Sequence, residues 1–460
     1  MQKKEMQHMT GRKIIYNAFT HVTPSHQTHG QWRRPEAGAQ RNFSRLEPWV
    51  KLARTAERAG LDTIFLADTV GVYDKYRQGW ATAAREGMQF PSNDPASLVS
   101  ALGYVTEHLG FIVTSSILQE HPFSFARKLS TLDHLTDGRV GWNIVTSYLD
   151  NAARNFGQPA LTGHDERYAW AEEYAEVAYK LWEASWQDDA VAADAAAGIY
   201  AHPERIHAID HEGPRYRVAG PHLPQPSPQR TPLLAQAGAS PAGRGFAARH
   251  AELTFLPAIT PASARNDIAE MNRRLAAHGR APGDLKYLVS LHPVIGSTEA
   301  EARVRYEEFL HWRSEPGYLA HASGTIGFDL SAIDPDTPLD EVKTEYMQGG
   351  IRAVIDAAPD KRARFGDVMR QRLNKAVAGT PEQIADSIAG WVEAGVDGFN
   401  LIPVVMPEWF DEFADAVVPV LRRRGLMQSG YAEGTLREKL FGRAAHLPDT
   451  HAARRLRPWA

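Results

Sequence analysis

The segment LLAQAGAS at residues 233–240 runs directly into Pro241. Its apolar half, Leu233, Leu234 and Ala235, has the unbroken hydrophobicity of a strand covered on both faces. The small residues Gly238, Ala239 and Ser240 follow, where backbone approaches a ligand closely, and Ser240 with Pro241 suits the N-cap and first position of a helix. A strand that empties through glycine onto a helix N-terminus turns unpaired N–H groups and the positive end of the helix dipole in one direction, which makes an anion site. An ordinary capped strand-to-helix turn uses the same residues, so the rest of the chain has to decide.

The same grammar recurs. Asp94–Pro95, Thr260–Pro261 and Thr380–Pro381 each set a capping side chain before a proline that opens a helix. Apolar stripes spaced by three and four follow: Leu98, Ala101, Leu102 and Val105 as far as Gly110, then Ile384, Ile388 and Trp391 as far as Gly395. Trp49, Leu52, Ala53 and Ala56 share one face of a further helix, which closes at Gly60. Between the helices lie eight short apolar runs, at 14–19, 63–67, 111–115, 140–145, 233–236, 253–256, 287–291 and 399–403. Eight strands with helical crossovers predict an α/β fold, a (β/α)8 TIM barrel, with an open doubly wound sheet as the runner-up. Residues 1–12 form an N-terminal extension, 13–425 the barrel with insertions at 69–92, 147–164, 186–230 and 311–378, and 426–460 a C-terminal tail expected to pack on another surface.

Composition narrows the function. The chain has 460 residues, 43% of them hydrophobic, which is ample for a large core, and its net charge of −4 offers no basic field to nucleic acid or an anionic membrane. Cysteine is absent, which excludes disulfides, thiolate zinc sites, iron–sulfur clusters and a cysteine nucleophile, and points to the cytoplasm. No apolar run has the length of a secretory h-region or a membrane span.

In a TIM barrel the active site lies at the C-terminal ends of the strands. Here those ends are polar: Asp68 after the second strand, Thr114, Ser115 and Ser116 at the third, Asn143, Thr146 and Ser147 at the fourth, and the glycine turn after the fifth. Four polar ends around one mouth argue for a polar ligand lying across it. There is no G-x-G-x-x-G after a strand, no P-loop, no H-E-x-x-H and no G-x-S-x-G. His21, His26 and His29 are close together but have no flanking carboxylate, so no metal site is expected.

The motifs that remain carry a resemblance. They are H-G-x-W-R at 29–33, FLAD at 65–68, STLDHL at 130–135, GRVGWNIVTS at 138–147, NFG at 155–157, HDERY at 164–168, SPQRTP at 227–232, QAGAS at 236–240, DGFNL at 397–401 and REKLFG at 437–442. In this order they resemble the bacterial-luciferase-like, FMN-dependent monooxygenases, in the branch of the nitrilotriacetate, dibenzothiophene-sulfone, long-chain alkane and dimethyl sulfide enzymes. The resemblance implies a cytoplasmic flavoprotein that is one part of a two-component monooxygenase. It would use FMNH2 from a separate NAD(P)H:FMN reductase, and O2, by way of a C4a-peroxyflavin, to oxygenate a small organic substrate such as an alkyl sulfide or alkane. A homodimer or homotetramer is implied too, with apolar helix faces and the C-terminal tail as candidate contacts, and no nucleic-acid or membrane partner.

By the same resemblance the phosphate of FMN falls to Gly238, Ala239 and Ser240, with Ala237 beside them at the cofactor. Asp68, Thr114, Asn143 and Thr146 line the isoalloxazine and ribityl chain, and His164 and Tyr168 reach the cofactor from the insertion after strand four. Catalytic positions fall on His26, Tyr73, Gln89, Tyr148 and His321. Thr23 stands where the alkane-type pattern has a cysteine, and Tyr148 where it has a histidine, which argues against a long-chain alkane. His321 lies in LAHASG, with Gly324 and Gly327 beyond it, a pattern expected of a mobile lid. Phe19, Trp32, Tyr73, Tyr104, Trp142 and Tyr148 are candidates for an aromatic wall that keeps water out. Three alternatives stay open: an enzyme that cleaves flavin itself, as riboflavin lyases do; a deazaflavin-dependent hydride-transfer enzyme; and a flavin carrier without turnover.

Overall fold

The computed structural model describes residues 12–238, 240–338, 341, 362, 364–373 and 376–459. Most of the expected N-terminal extension, Ala239 and part of the 311–378 insertion therefore lie outside the described residues. Eight parallel strands close into a barrel: β1 (Ile15–His21), β2 (Thr63–Ala67), β3 (Gly110–Ser116), β4 (Val140–Val145), β5 (Leu233–Gln236), β6 (Leu253–Phe255), β7 (Lys286–Leu291) and β8 (Gly398–Leu401). They follow one another around the ring in chain order, and β1 pairs with both β2 and β8, so the sheet has no free edge and the doubly wound alternative falls.

Strand alternation sorts the side chains into two layers. Ile15, Phe65, Ile112, Leu233, Leu253 and Leu288 fill the barrel interior, with Phe19 and Phe255 above them. Tyr16, Ile64, Phe111, Val140, Leu234, Val289 and Phe399 face outward into the larger core under the helices. One polar group of the interior is internally satisfied: Asn17 Nδ2 donates to Asn400 Oδ1 at 2.9 Å, and Thr63 Oγ1 donates to Asn17 Oδ1 at 2.8 Å.

The predicted caps hold. Ser240 Oγ accepts from Gly243 N, Thr260 Oγ1 from Ser263 N and Thr380 Oγ1 from Gln383 N. At Asp94 the helix starts one residue later than expected, as Ala96–Tyr104, and Gly110 opens β3 rather than ending the helix. β1 runs on to His21 because Thr20 and His21 still pair with Leu66 and Ala67.

Beyond the barrel, 69–92 contains the helix Ala81–Glu86, 147–164 contains Asp150–Asn155, and 186–230 contains two small antiparallel pairs. The helix Glu315–Ile326 lies within 311–378. The C-terminal segment packs on its own barrel. Its helix Leu436–Phe441 places Leu436 and Leu440 in the interior cluster, and Leu436 N donates to Gly138 O at 2.8 Å, so it closes the floor. Among the described residues no helix is long and apolar enough to cross a membrane.

Candidate active site

The strand ends of β2 to β5 meet around a cleft of about 280 Å³ at the barrel mouth. Asp68, one residue past β2, lines it. Its Oδ1 accepts from Thr69 N at 2.9 Å and lies 3.3 Å from His21 Nε2. Thr114 and Asn143 are register partners on β3 and β4, both facing inward, and Asn143 Nδ2 donates to Thr114 Oγ1 at 2.9 Å. Thr114 lines the cleft and Asn143 stands directly behind it. Asn143 Oδ1 is buried and has no partner, and the same is true of Gln236 Oε1 at the end of β5. Thr146 lines the cleft where β4 ends.

The β5 turn approaches the helix Pro241–His250 as closely as backbone allows. A Cβ on Gly238 would stand 2.5 Å from Gln236 Nε2 and 2.8 Å from Gly243 Cα, and one on Gly243 would stand 2.7 Å from Tyr168 Oη. Both glycines are therefore required by contact. Ala237 lines the cleft, and Ser240 caps the helix with Oγ 3.1 Å from Gly243 N; Ala239 lies outside the described residues. His164 and Tyr168, four residues apart on one face of the helix His164–Glu183, bring their rings to 5.2 Å and both line the cleft.

The five expected catalytic residues form a second group. Of these, Tyr148 lines the cleft; His26, Tyr73, Gln89 and His321 do not. The hydroxyls of Tyr148 and Tyr73 are hydrogen-bonded, Tyr73 donates to Gln89 Oε1 at 3.0 Å, and Gln89 Nε2 donates to the His26 carbonyl at 3.2 Å. Since Tyr73 spends its one proton on Gln89, Tyr148 is the donor between the two tyrosines, and its oxygen offers lone pairs to the cleft. Gln89 adopts φ +48° and Ser147 φ +59°, left-handed backbone that non-glycine residues hold only where surroundings enforce it.

His26 packs against Phe19 with ring centroids 4.6 Å apart, and His321 lies edge-on to Tyr73 at 5.0 Å. Burial, with the neighbouring histidines, holds His26 well below the usual imidazole range, and burial pushes His321 down to about 4. Burial likewise raises Tyr73 and Tyr148, so both phenols stay protonated.

His321, expected in a mobile lid, sits in the helix Glu315–Ile326, where Thr325 Oγ1 donates to its carbonyl at 2.9 Å and Gly327 is the left-handed cap at φ +81°. Gly324 is small because a Cβ there would collide with the Tyr73 ring. Of the aromatic wall, Tyr104 is 91% exposed on an outer helix, and Trp142 points outward from β4 onto Phe125 at 4.6 Å.

Sequence reasoning assigned no role to several residues that line the cleft, namely Ser116, Gln119, Ser147, Arg167 and Gln236. Four of them stood within quoted strand ends or motifs; Gln119 carried no local signal. Among the described residues no group of three or more His, Asp or Glu is arranged to hold a metal ion.

Comparison with known proteins gives the family. A family model described as luciferase-like monooxygenase matches residues 14–398. The chain is 43% identical to a long-chain alkane monooxygenase of Geobacillus thermodenitrificans, across 97% of this chain and 98% of that one. It is 42% identical to a dimethyl-sulfide monooxygenase of Hyphomicrobium sulfonivorans, across 97% and 94%. A riboflavin lyase solved with modified FMN and riboflavin superposes with a TM-score of 0.89 at 37% identity, covering 97% of this chain and all (100%) of the other. The chain belongs to the luciferase-like monooxygenase family and is an enzyme of that kind.

Proposed function

We propose that this chain is the oxygenase half of a two-component system. It takes reduced FMN from a separate NAD(P)H:FMN reductase and, with O2, oxygenates a small organic substrate, an alkyl sulfide ahead of an alkane. The observation that carries this reading is a pair of buried amide oxygens without partners, Asn143 Oδ1 and Gln236 Oε1, beside a glycine turn at a helix N-terminus. A heterocycle with N–H donors joined to a phosphate would satisfy both features. Thr114, Asn143, Gln236, Thr146 and Asp68 would hold the ring and ribityl chain. Ala237 to Ser240, with His164 and Tyr168, would hold the phosphate end. Reduced flavin, when bound, supplies the electrons that activate O2.

The protein's own contribution is dryness, position and a proton reserve. Tyr148, Tyr73 and Gln89 form a fixed hydrogen-bonded chain at the cleft wall, and the buried neutral histidines stand behind it. A tyrosine at 148, where the alkane-type pattern has a histidine, supports an alkyl sulfide ahead of an alkane. A second reading has one observation in its favour, the likeness to riboflavin lyase: flavin itself would be the substrate.

Ser240→Asp tests the phosphate end. Like charges would then meet, so FMN binding should fall by more than about tenfold while riboflavin binding is unchanged. Equal loss of both ligands, or loss of neither, refutes the assignment. Mass spectrometry after incubation with FMNH2, ¹⁸O2 and dimethyl sulfide separates the two readings: labelled sulfoxide or demethylated thiol with intact FMN supports oxygenation, and degraded flavin supports the second.

A further inference from the structure

We propose that His29 is a positioning residue: it donates Nε2–H to Nδ1 of His321 and so holds His321 in the tautomer that carries its proton on Nε2. The H-G-x-W-R motif at 29–33 is unused by the cleft, since none of its residues lines it. His29 is 2% exposed, and its Nε2 lies 3.1 Å from His321 Nδ1 with the rings nearly perpendicular at 82°.

One proton bridges the two nitrogens, and its owner follows from the other side of His29. His29 Nδ1 is buried without a partner. A proton there would leave a buried N–H orphaned, and such donors are rarer in folded proteins than orphaned acceptors. The proton of His29 therefore sits on Nε2, and His321 Nδ1 accepts it. Burial holds both rings neutral, and a neutral imidazole has one N–H, which for His321 is then Nε2.

The rest of the motif fixes the contact. Ser314 N donates to the His29 carbonyl at 2.9 Å, Gln31 Nε2 donates to Phe309 O at 2.8 Å, and Arg33 reaches Trp312 O. Gly30 stands at φ +91°, where a Cβ would strike Trp312 O and come within 2.7 Å of Ser314 N. The loop after β1 is thus sewn to the entry of the helix that carries His321, whose ring meets Tyr73 and, through it, Tyr148 at the cleft. A histidine of defined tautomer is held at the inner end of the tyrosine pair.

Any consequence for turnover rests on the oxygenase reading above, whereas the tautomer is a property of the protein alone. The test is ring-¹⁵N histidine NMR on the full chain without flavin at neutral pH, with His321 assigned from His321→Asn. Nε2-protonated, neutral His321 is expected; His321 charged or protonated on Nδ1 overturns the proposal, whatever the substrate proves to be. His29→Phe should release His321 into a mixture of tautomers, and His29→Gln, which keeps an amide donor, should restore the wild-type signal. With reduced FMN and substrate, His29→Phe should lower kcat about tenfold or more with KM unchanged, and His29→Gln should recover most of it. A His29→Phe protein with the wild-type tautomer and kcat also overturns it. If that variant does not fold, the wild-type spectrum decides alone.

Discussion

At the floor of the barrel Arg437 is 2% exposed and its guanidinium is fully engaged: it pairs with Glu252 at 2.7 and 2.9 Å and donates to the carbonyls of Ala445 and Thr231 at 2.6 and 2.9 Å. At the mouth, by contrast, Asn143 and Gln236 bury oxygens that bond to nothing, and Gln89 and Ser147 hold left-handed backbone. Both ends bury polar atoms. Arg437 differs from Asn143 and Gln236 in that the protein itself completes its bonding. An unsatisfied buried acceptor costs on the order of 1–3 kcal/mol, a cost a ligand can remove, whereas a saturated ion pair gives a ligand nothing to do. The contrast therefore separates a saturated ion pair that supports the fold from two amides left open at the cleft, although Gln229 Oε1 and Arg280 Nε at the floor are unpartnered too.

The contrast is broken most directly at the floor. Arg437→Met should strand the Glu252 carboxylate and lower stability by about 3–5 kcal/mol in urea denaturation, while FMN affinity of the folded protein stays unchanged. A loss of flavin affinity as large as the loss of stability would mean that the two ends are not separable.

Acid tests the mouth next. His321 is a base whose folded value lies near 4, against about 6.5 unfolded, so the unfolded chain takes up the proton first as pH falls. Its contribution is complete above pH 6.5 and is lost between 6.5 and about 4, at a slope of about 1.4 kcal/mol per pH unit. Denaturation midpoints at pH 7, 6 and 5 should show this decline, and His321→Asn should make it shallower, the remainder coming from other buried histidines such as His26 and His29. Equal slopes in both proteins would place the titrating groups elsewhere.

The smallest effect sharpens the comparison most. Asn143→Leu removes an orphaned oxygen together with the bond its Nδ2 donates to Thr114, effects of opposite sign, so stability should change by less than about 1 kcal/mol while FMN binds roughly tenfold more weakly. A destabilised protein with normal FMN affinity would make Asn143 a structural residue.

Much of this was legible along the chain. The runs at 63–67, 140–145 and 233–236 coincide with β2, β4 and β5, and the caps at Ser240, Thr260 and Thr380 make the bonds their spacing implied. The polar strand ends likewise predicted a ligand mouth, because in a parallel barrel all C-terminal ends emerge on one side. Strand propensity, capping and turn chemistry act over a few residues, so a local reading captures them.

The arrangement of the candidate site belongs to the tertiary structure. Glycines near His321 suggested a mobile lid, but the reason for Gly324 is contact: it is small so that a helix can pack on Tyr73, which comes from a different insertion. Tyr104 was an equal candidate for the wall and ended on the outer surface, because a helical stripe does not say which of its flanks meets solvent. The contacts that define the site join residues far apart in sequence: His21 with Asp68, Tyr73 with Tyr148, and His29 with His321 across 292 positions. Such contacts exist once barrel closure fixes the ends of the loops in space. Chain-local chemistry is thus enough for the strands, caps and the side on which a ligand sits, whereas hydrogen-bond partners, tautomers and unsatisfied oxygens follow from the packing of distant segments.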